Sequence, residues 1–213
     1  MSDLFEVIKT SLQVSGVSLT IAGIVGVPAG MLIGLSHSRF KKWLIALINT
    51  GMGLPPVLVG LVVALILWRS GPLGFLGLLY CKSAMVIAQT IIALPLVTAF
   101  TIAGVQRIDP ELVRYTISLG VTRWQLLRII LREAKSTILV ALMAGFGSII
   151  SEVGAVMMVG GNIKGDTMVL TTGIMSETRM GNFDTALYMG AVLLLISFIV
   201  NLCLTLIQQR QTR

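Results

Sequence analysis

The sequence predicts an all-α membrane protein, because its apolar stretches are too long and too poor in charge for a soluble domain. Of the 213 residues, 55% are hydrophobic and 12% are charged, and the mean hydropathy is +0.94. In soluble proteins about a quarter of the residues are charged. Five apolar stretches have close to the roughly 20 residues that a helix needs to cross a bilayer. They occupy residues 14–35, 44–68, 84–104, 138–159 and 186–207, and they predict a single transmembrane domain over residues 1–213.

The first stretch is interpreted as a retained span and not as a signal peptide. The residues before it include Asp3 and Glu6 and form no basic leader. Within it, Gly26, Gly30 and Gly34 recur at every fourth position. Glycines at this spacing lie on one side of a helix and let another helix approach closely. The sequence therefore predicts a close helix contact along this glycine stripe.

Glycines and prolines are expected to interrupt the next two spans. Gly51, Gly53, Pro55 and Pro56 fall inside the second stretch, and Pro95 falls inside the third. Transporters use broken helices to expose backbone groups to a cavity near the middle of the membrane. The alternative is a set of plain kinks that neighbouring helices absorb. We expect motion at these points, which makes the three prolines candidates for a pathway or gate.

A polar, arginine-rich segment of about 106–134 separates the third and fourth stretches. Asp109 is a favourable N-cap, and the proline after it fits the first position of a helix. Gly120 suits a left-handed turn at the end of that helix. Thr122 and Gln125 have the spacing of a capping box that begins a second helix. The segment is therefore predicted to form two short helices joined at Gly120.

Two interpretations of this segment remain open on physical grounds. Arg128 and Arg132 lie four residues apart on one face of the second helix, as in an interfacial helix whose cations meet anionic lipid. The other interpretation is a docking site for a soluble partner. The turn at Gly120 favours docking, because a helix that lies on lipid gains nothing from a break.

The distribution of cations predicts the orientation in the membrane. If the segment 106–134 is cytoplasmic, eleven of the 16 Lys and Arg residues fall on the cytoplasmic side and five on the outer side. The positive-inside rule then places the N-terminus outside and the C-terminus in the cytoplasm. His37, the only histidine, is expected in a hydrated basic flank after the first span. This topology explains the net charge of +7 without a nucleic-acid partner.

The segment 106–134 resembles the cytoplasmic docking loop, often called the EAA loop, of permease subunits of ATP-binding-cassette importers. This chain matches the family at its glycine, Gly120, and at the leucine before it, Leu119. It also matches at Thr122, Arg123 and Trp124, which begin two residues after the glycine. The Glu-Ala-Ala triplet is not matched, because its positions hold Arg-Tyr-Thr. In this family the loop inserts as a coupling helix into a groove on the ATPase. The resemblance assigns this contact to Arg114, Tyr115, Thr116, Leu119, Gly120, Thr122, Arg123 and Trp124.

Residues 145–163 closely resemble the fourth span of tungstate permeases, and molybdate permeases have a related pattern there. The resemblance extends over about 105–187 and implies a type I importer permease, a five-helix bundle like that of molybdate and methionine permeases. It implies a homodimeric pathway for an oxyanion in the bacterial cell membrane. Tungstate is the leading substrate, and molybdate, sulfate or another small solute is the alternative. The implied partners are two cytoplasmic ATPase subunits, which bind ATP and Mg, and an extracytoplasmic binding protein.

An ionisable group inside the fourth stretch, Glu152, is a functional candidate by default. A carboxylate would repel a passing dianion, so hydrogen bonding between helices at a gate is preferred to a place in the anion path. Neighbouring serines are expected to share a network with it, and two methionines are expected to fill space at a moving interface. The gate candidates of this span are Ser148, Ser151, Glu152, Gly154, Met157 and Met158.

The segment of about 160–185 is expected on the outer face, with a short helix over residues 167–180. Hydroxyl and cationic side chains there suit contact with a binding protein, and a solvated loop is an equal alternative. Direct contact with the anion is the least favoured interpretation. The candidates are Asn162, Lys164, Thr171, Thr172 and Arg179.

Two other classes of function fit the sequence less well. An intramembrane enzyme needs a catalytic pair, and Glu152 with Ser148 is too small a constellation. A secondary carrier would leave the polar segment without a purpose, and the inverted repeats common in carriers are not apparent. The chain contains no GxxxxGK[ST] motif. We therefore assign no catalytic residue, metal or cofactor to it, and expect ATP hydrolysis in a partner subunit.

Overall fold

The computed structural model describes residues 2–36 and 38–212, and its regular structure over these residues is entirely helical. His37 lies outside the described residues, and so does the prediction made for it. A 3₁₀ turn at Gly74–Leu76 separates the third and fourth helices. The helices are α1 Ser2–Leu35, α2 Lys41–Met52, α3 Pro56–Leu67, α4 Lys82–Gln106, α5 Pro110–Ser118, α6 Arg123–Glu133, α7 Lys135–Ile150, α8 Gly154–Gly160, α9 Leu170–Arg179 and α10 Phe183–Thr212.

The helices account for the five predicted spans. By length and composition, α1, α4 and α10 are each able to cross a membrane as single helices. Two bent pairs bring the number to five if each pair is one span: α2 and α3 meet at 97°, and α7 and α8 meet at 61°. The apolar part of α10 is not buried against the rest of the described chain, which leaves its surface for lipid or another protein.

Helix α4 lies at the centre of the bundle and contacts α1, α2, α3, α7 and α8. The glycine stripe of α1 faces it, as predicted. A Cβ atom at Gly30 would lie 2.8 Å from the backbone oxygen of Thr98, and one at Gly34 would lie 2.8 Å from Cγ1 of Val105. Such distances are too short for any larger side chain, so the stripe allows the contact between α1 and α4.

The third span is not interrupted, and the prediction for Pro95 is wrong. Helix α4 runs through Pro95 without a break, as α1 runs through Pro28. A Cβ atom at Gly51 would lie 2.9 Å from both Cβ and Cγ of Pro95, so the proline ring packs directly on α2. Neighbouring helices allow a membrane helix to keep its course at a proline. Pro95 therefore acts as a packing surface for α2.

The second span is broken where the sequence predicts it. Helix α2 ends at Met52, and α3 begins at Pro56 after an extended residue, Pro55, with φ −60° and ψ 121°. The carbonyl of Pro55 accepts the N–H groups of Leu58 and Val59, at 2.9 and 3.3 Å. Pro56 at the first position of α3 costs no hydrogen bond, because the N–H group at this position of a helix has no partner within the helix.

Candidate functional site

The polar segment between α4 and α7 forms the predicted pair of helices, which we call the elbow (α5, Gly120 and α6). Asp109 accepts the N–H of Glu111 at 2.8 Å and caps α5. Gly120 has φ +74°, in the left-handed region. Thr122 and Gln125 form the capping box of α6: the Thr122 N–H donates to Gln125 Oε1 at 2.7 Å, and the Gln125 N–H donates to Thr122 Oγ1 at 3.4 Å. The local predictions for this segment are confirmed.

The elbow is anchored at one end and exposed at its tip. Ile130 of α6 is buried among residues from α1, α4 and α7, which fixes α6 to the bundle. At the tip, Tyr115 is 65% exposed and Leu119 is 64% exposed. Exposed apolar side chains that lie together in a charged segment make this tip a candidate surface for a partner.

The predicted contact residues of the elbow do not all share this exposure. Thr116 is buried, and its hydroxyl donates to the carbonyl of Leu112 at 2.7 Å. It therefore belongs to the inner side of α5, and its place in the predicted contact set stays a prediction. Trp124 is 83% exposed and lies at the edge of a cavity between α6 and α1. The remaining exposed members of the predicted set are Arg114, Gly120, Thr122 and Arg123.

A cavity of about 190 Å³ lies beside the break in the second span. The structure brings together there Pro55 and Pro56 from the break and Ser148 from α7. Residues of α4 around Pro95 close its other side, although Pro95 itself contacts Gly51. The complete lining consists of Gly51, Met52, Gly53, Leu54, Pro55, Pro56, Val59, Ile91, Ile92, Leu96 and Ser148.

The sequence predicts that Glu152 lies inside the fourth helical span. In the structure it lies in the break between α7 and α8. Its Oε1 accepts the N–H of Ala155 at 2.9 Å and so caps the start of α8. The expected network with the neighbouring serines is not formed. The Ser151 hydroxyl donates to the carbonyl of Gly147, one turn back, at 2.8 Å, because a helical serine readily satisfies itself on its own helix.

The other side of this break is closed by Gln89, which the sequence analysis missed. Gln89 of α4 is buried, and its Nε2 donates to the carbonyl of Ile149 near the end of α7 at 3.0 Å. The buried amide therefore adds a second donor to this carbonyl, which also accepts the N–H of Glu152 at 3.3 Å where the helix ends. Gln89 could have been identified from the sequence, since it is a polar residue within an apolar span.

The second halves of the two broken spans pack on each other. A Cβ atom at Gly154 would lie 2.6 Å from Cγ2 of Val57, and one at Gly60 would lie 2.5 Å from the Cα atom of Ala155. Helices α3 and α8 thus form one closely packed unit. Met157 is half-buried and Met158 is exposed, and neither lines the cavity at Ser148.

The outer segment forms helix α9 within the predicted range. The N–H of Leu170, its first residue, donates to the hydroxyl of Ser11 in α1 at 2.8 Å. The Thr171 hydroxyl donates to the backbone carbonyl of Glu152 at 2.9 Å, and Thr172 Oγ1 accepts the N–H of Val169 at 3.1 Å. These bonds attach the start of α9 to α1 and to the break in the fourth span.

The predicted outer-face residues therefore divide into two groups. Thr171 and Thr172 are buried, and both hydroxyls bond within the bundle, so neither hydroxyl is on the surface of the described chain. Asn162 has φ +52° and donates from Nδ2 to the hydroxyl of Ser176 at 2.6 Å. Lys164 and Arg179 are exposed.

Residues 26–213 match the family described as binding-protein-dependent transport system inner membrane component. The tungstate uptake system permease protein TupB of Peptoclostridium acidaminophilum is 40% identical over 206 residues, covering 97% of this chain and 90% of the relative. A probable anion ABC transporter permease protein of Haloferax volcanii is 39% identical over 93% of this chain and 88% of its own. TupB of Campylobacter jejuni is 32% identical, with coverage of 93% and 83%.

Solved structures of importers have the same fold. The MetNI methionine ABC transporter in an inward-facing conformation superimposes with a TM-score of 0.79 at 16% identity, over 99% of this chain and 96% of that chain. A bacterial ABC transporter that imports the acidic polysaccharide alginate gives a TM-score of 0.82 at 21% identity, over 100% of this chain and 81% of that chain.

Proposed function

Because this chain belongs to the family of binding-protein-dependent transport system inner membrane components, the permease subunits of ATP-binding-cassette importers, we propose that two copies of it form a pathway for tungstate across the cell membrane. Its fold is that of a type I importer permease, as the sequence analysis expected. The two ATPase subunits, which bind ATP and Mg, lie on the cytoplasmic side in this proposal. The N-terminus is outside and the C-terminus is in the cytoplasm.

The observation that carries the proposal is the exposed tip of the elbow. Tyr115 and Leu119 present apolar surface beside the cations Arg114 and Arg123, and the capped ends of α5 and α6 hold this tip in one shape. Since Ile130 anchors α6 in the bundle, a push on the tip moves the ends of α1, α4 and α7. The elbow is therefore suited to transmit the closure of an ATPase pair to the spans.

The broken spans supply the gate in this proposal. The cavity at Pro55, Pro56 and Ser148 lies where two helices are interrupted, and interrupted helices change their direction more easily than continuous ones. Helices α3 and α8 pack as one unit, so the second halves of both broken spans would move together. We assign the gate to this unit and the cavity beside it.

Tungstate is favoured as the substrate by two relatives named as tungstate uptake permeases, at 40% and 32% identity. Molybdate and sulfate remain the alternatives, because all three are tetrahedral dianions of similar size. In the proposed system an extracytoplasmic binding protein delivers the anion to the outer face, where Arg179 is exposed. This binding protein would make most of the selection among the three anions.

Topology and uptake measurements test the proposal together. A cysteine introduced at Arg123 should be labelled in sealed cells only by a reagent that crosses the membrane. Cells that lack the gene should lose high-affinity tungstate uptake, and sulfate uptake should stay unchanged. Labelling of position 123 from the exterior would contradict the docking role of the elbow, and unchanged tungstate uptake would contradict the substrate.

A further inference from the structure

Two contiguous cavities form an apolar groove along the inner half of α1. The deeper cavity, of about 450 Å³, lies between α1, the end of α6 and α7. The second, also of about 450 Å³, continues to the start of α6. Both are lined by Pro28, Met31 and Leu131, so they join into one groove.

The groove changes in chemistry along its length. Its deep part, from Leu19 to Val27 on α1 and Leu142 on α7, is lined almost entirely by apolar side chains. Its mouth lies at Trp124 and Arg128 of α6, both of which are exposed. Among the residues that line the two cavities, Arg128 is the one charged side chain, and none is acidic. The groove therefore offers a positive charge at one end of a long apolar surface.

We propose that this groove binds one anionic phospholipid of the cytoplasmic leaflet, with an acyl chain along α1 and the phosphate at Arg128. This inference rests on the orientation in the proposed function, which puts the elbow in the cytoplasm. In that orientation Arg128 and Trp124 lie at the depth of the headgroups, where tryptophan is favoured and anionic lipids attract basic residues. A guanidinium binds a phosphate through paired, charge-assisted hydrogen bonds.

A second copy of the chain suits this groove less well. It would have to bring a carboxylate to Arg128 from the cytoplasmic side. Of the nine Asp and Glu residues, only Asp109, Glu111 and Glu133 belong to that side in the proposed orientation. Asp109 already caps α5 through the N–H of Glu111. A single phospholipid supplies both a phosphate for Arg128 and an acyl chain for the apolar surface.

The test measures lipid affinity of the transporter, purified through a tag on this chain together with the subunits that accompany it. Phosphatidylglycerol and phosphatidylcholine are titrated into the delipidated complex, and bound lipid is counted by native mass spectrometry. Phosphatidylglycerol should bind at least about fivefold more tightly than phosphatidylcholine, since each basic side chain near the surface contributes roughly this factor. Arg128→Gln should remove this preference, whereas Arg107→Gln, an exposed arginine outside the groove, should retain it.

A second pair of variants tests the apolar part. Thr20 is exposed on α1 and lines the deep cavity, so Thr20→Phe should fill it and lower the occupancy by both lipids severalfold. Ile21→Phe, next to it and outside the lining, should have no effect. Equal affinities for the two lipids, no effect of either groove variant, or disulfide formation between two copies through Met31→Cys would each overturn the inference.

These measurements need no turnover. Loss of the ATPase subunits or of tungstate uptake in the unsubstituted protein would contradict the proposed function and leave the lipid result standing. Conversely, a transporter that takes up tungstate and shows no preference for phosphatidylglycerol would overturn only the lipid site.

Discussion

Thr171 donates its hydroxyl hydrogen to the backbone carbonyl of Glu152 at 2.9 Å, which ties helix α9 to the break in the fourth span. The carboxylate of the same glutamate accepts the N–H of Ala155 at 2.9 Å, at the start of α8. Helix α9 is also bonded to Ser11 of α1, so its start is attached both to α1 and to the break. The outer face and the gate that we propose are thus joined by two hydrogen bonds through one residue.

Thr171→Val is expected to uncouple these elements. The substitution keeps the shape of the side chain and removes the donor, so the Glu152 carbonyl loses a partner in a partly buried site. Loss of such a bond costs about 1–3 kcal/mol, which should lower the melting temperature of the purified protein and reduce uptake. Thr178→Val is the matched control, since its exposed hydroxyl bonds only to Ile174 of its own helix. Equal effects of the two variants would contradict a special role for the Thr171 bond.

The role of Glu152 is tested by separating its charge from its hydrogen bond. Glu152→Gln keeps an oxygen that accepts the N–H of Ala155, whereas Glu152→Leu does not. Leaving the partly buried N–H of Ala155 without its acceptor costs about 1–3 kcal/mol, so only the leucine variant should melt at a clearly lower temperature. Tungstate uptake by Glu152→Gln should stay near the unsubstituted level. A large loss of uptake at an unchanged melting temperature would instead place the negative charge of Glu152 in the anion path.

The features that the sequence predicts correctly are those set by nearby residues. The two helices of the elbow follow from Asp109, Gly120 and the pair Thr122 and Gln125, because caps and left-handed turns involve residues a few positions apart. The spans follow from the length of their apolar stretches. The glycine stripe of α1 predicts a close contact, although it does not name α4 as the partner.

The features that the sequence analysis missed are set by contacts between distant residues. The fourth span breaks without a proline, at a point where Gly154 lies against Val57 and where Gln89 satisfies the carbonyl of Ile149. Pro95 lies in a continuous helix and packs on Gly51. The sequence places Thr171 among the outer-face hydroxyls, whereas in the structure it bonds to the backbone of Glu152. Each outcome depends on a neighbour that periodicity along the chain does not identify.

Gly60→Ala should force α3 and α8 apart. A Cβ atom at Gly60 would lie 2.5 Å from the Cα atom of Ala155, and a backbone atom cannot give way as a flexible side chain does. Overpacking of this kind costs typically about 1–3 kcal/mol, measured as a lower melting temperature. Gly16→Ala is the control, because a Cβ atom at this helical glycine would meet nothing within 4 Å. It should stabilise α1 slightly, since alanine favours a helix over glycine. A Gly60→Ala protein that melts as the control does would contradict the close contact of α3 and α8.

Substitutions at Gly120 test whether the shape of the elbow, and not its charge, determines ATPase binding. Gly120 has φ +74°, yet a Cβ atom there would meet nothing within 4 Å, so a side chain has room and only the backbone resists. A residue other than glycine costs about 1–2 kcal/mol in this conformation, and asparagine tolerates it best. Gly120→Val should therefore weaken co-purification of the ATPase subunits about five- to thirtyfold, whereas Gly120→Asn should retain most of it.

Both proteins should insert and melt normally, because the elbow tip contributes no core residue next to Gly120. If valine and asparagine weaken the complex equally, the side chain and not the left-handed turn is responsible, and the elbow would not need the bent shape through which we propose that it transmits force.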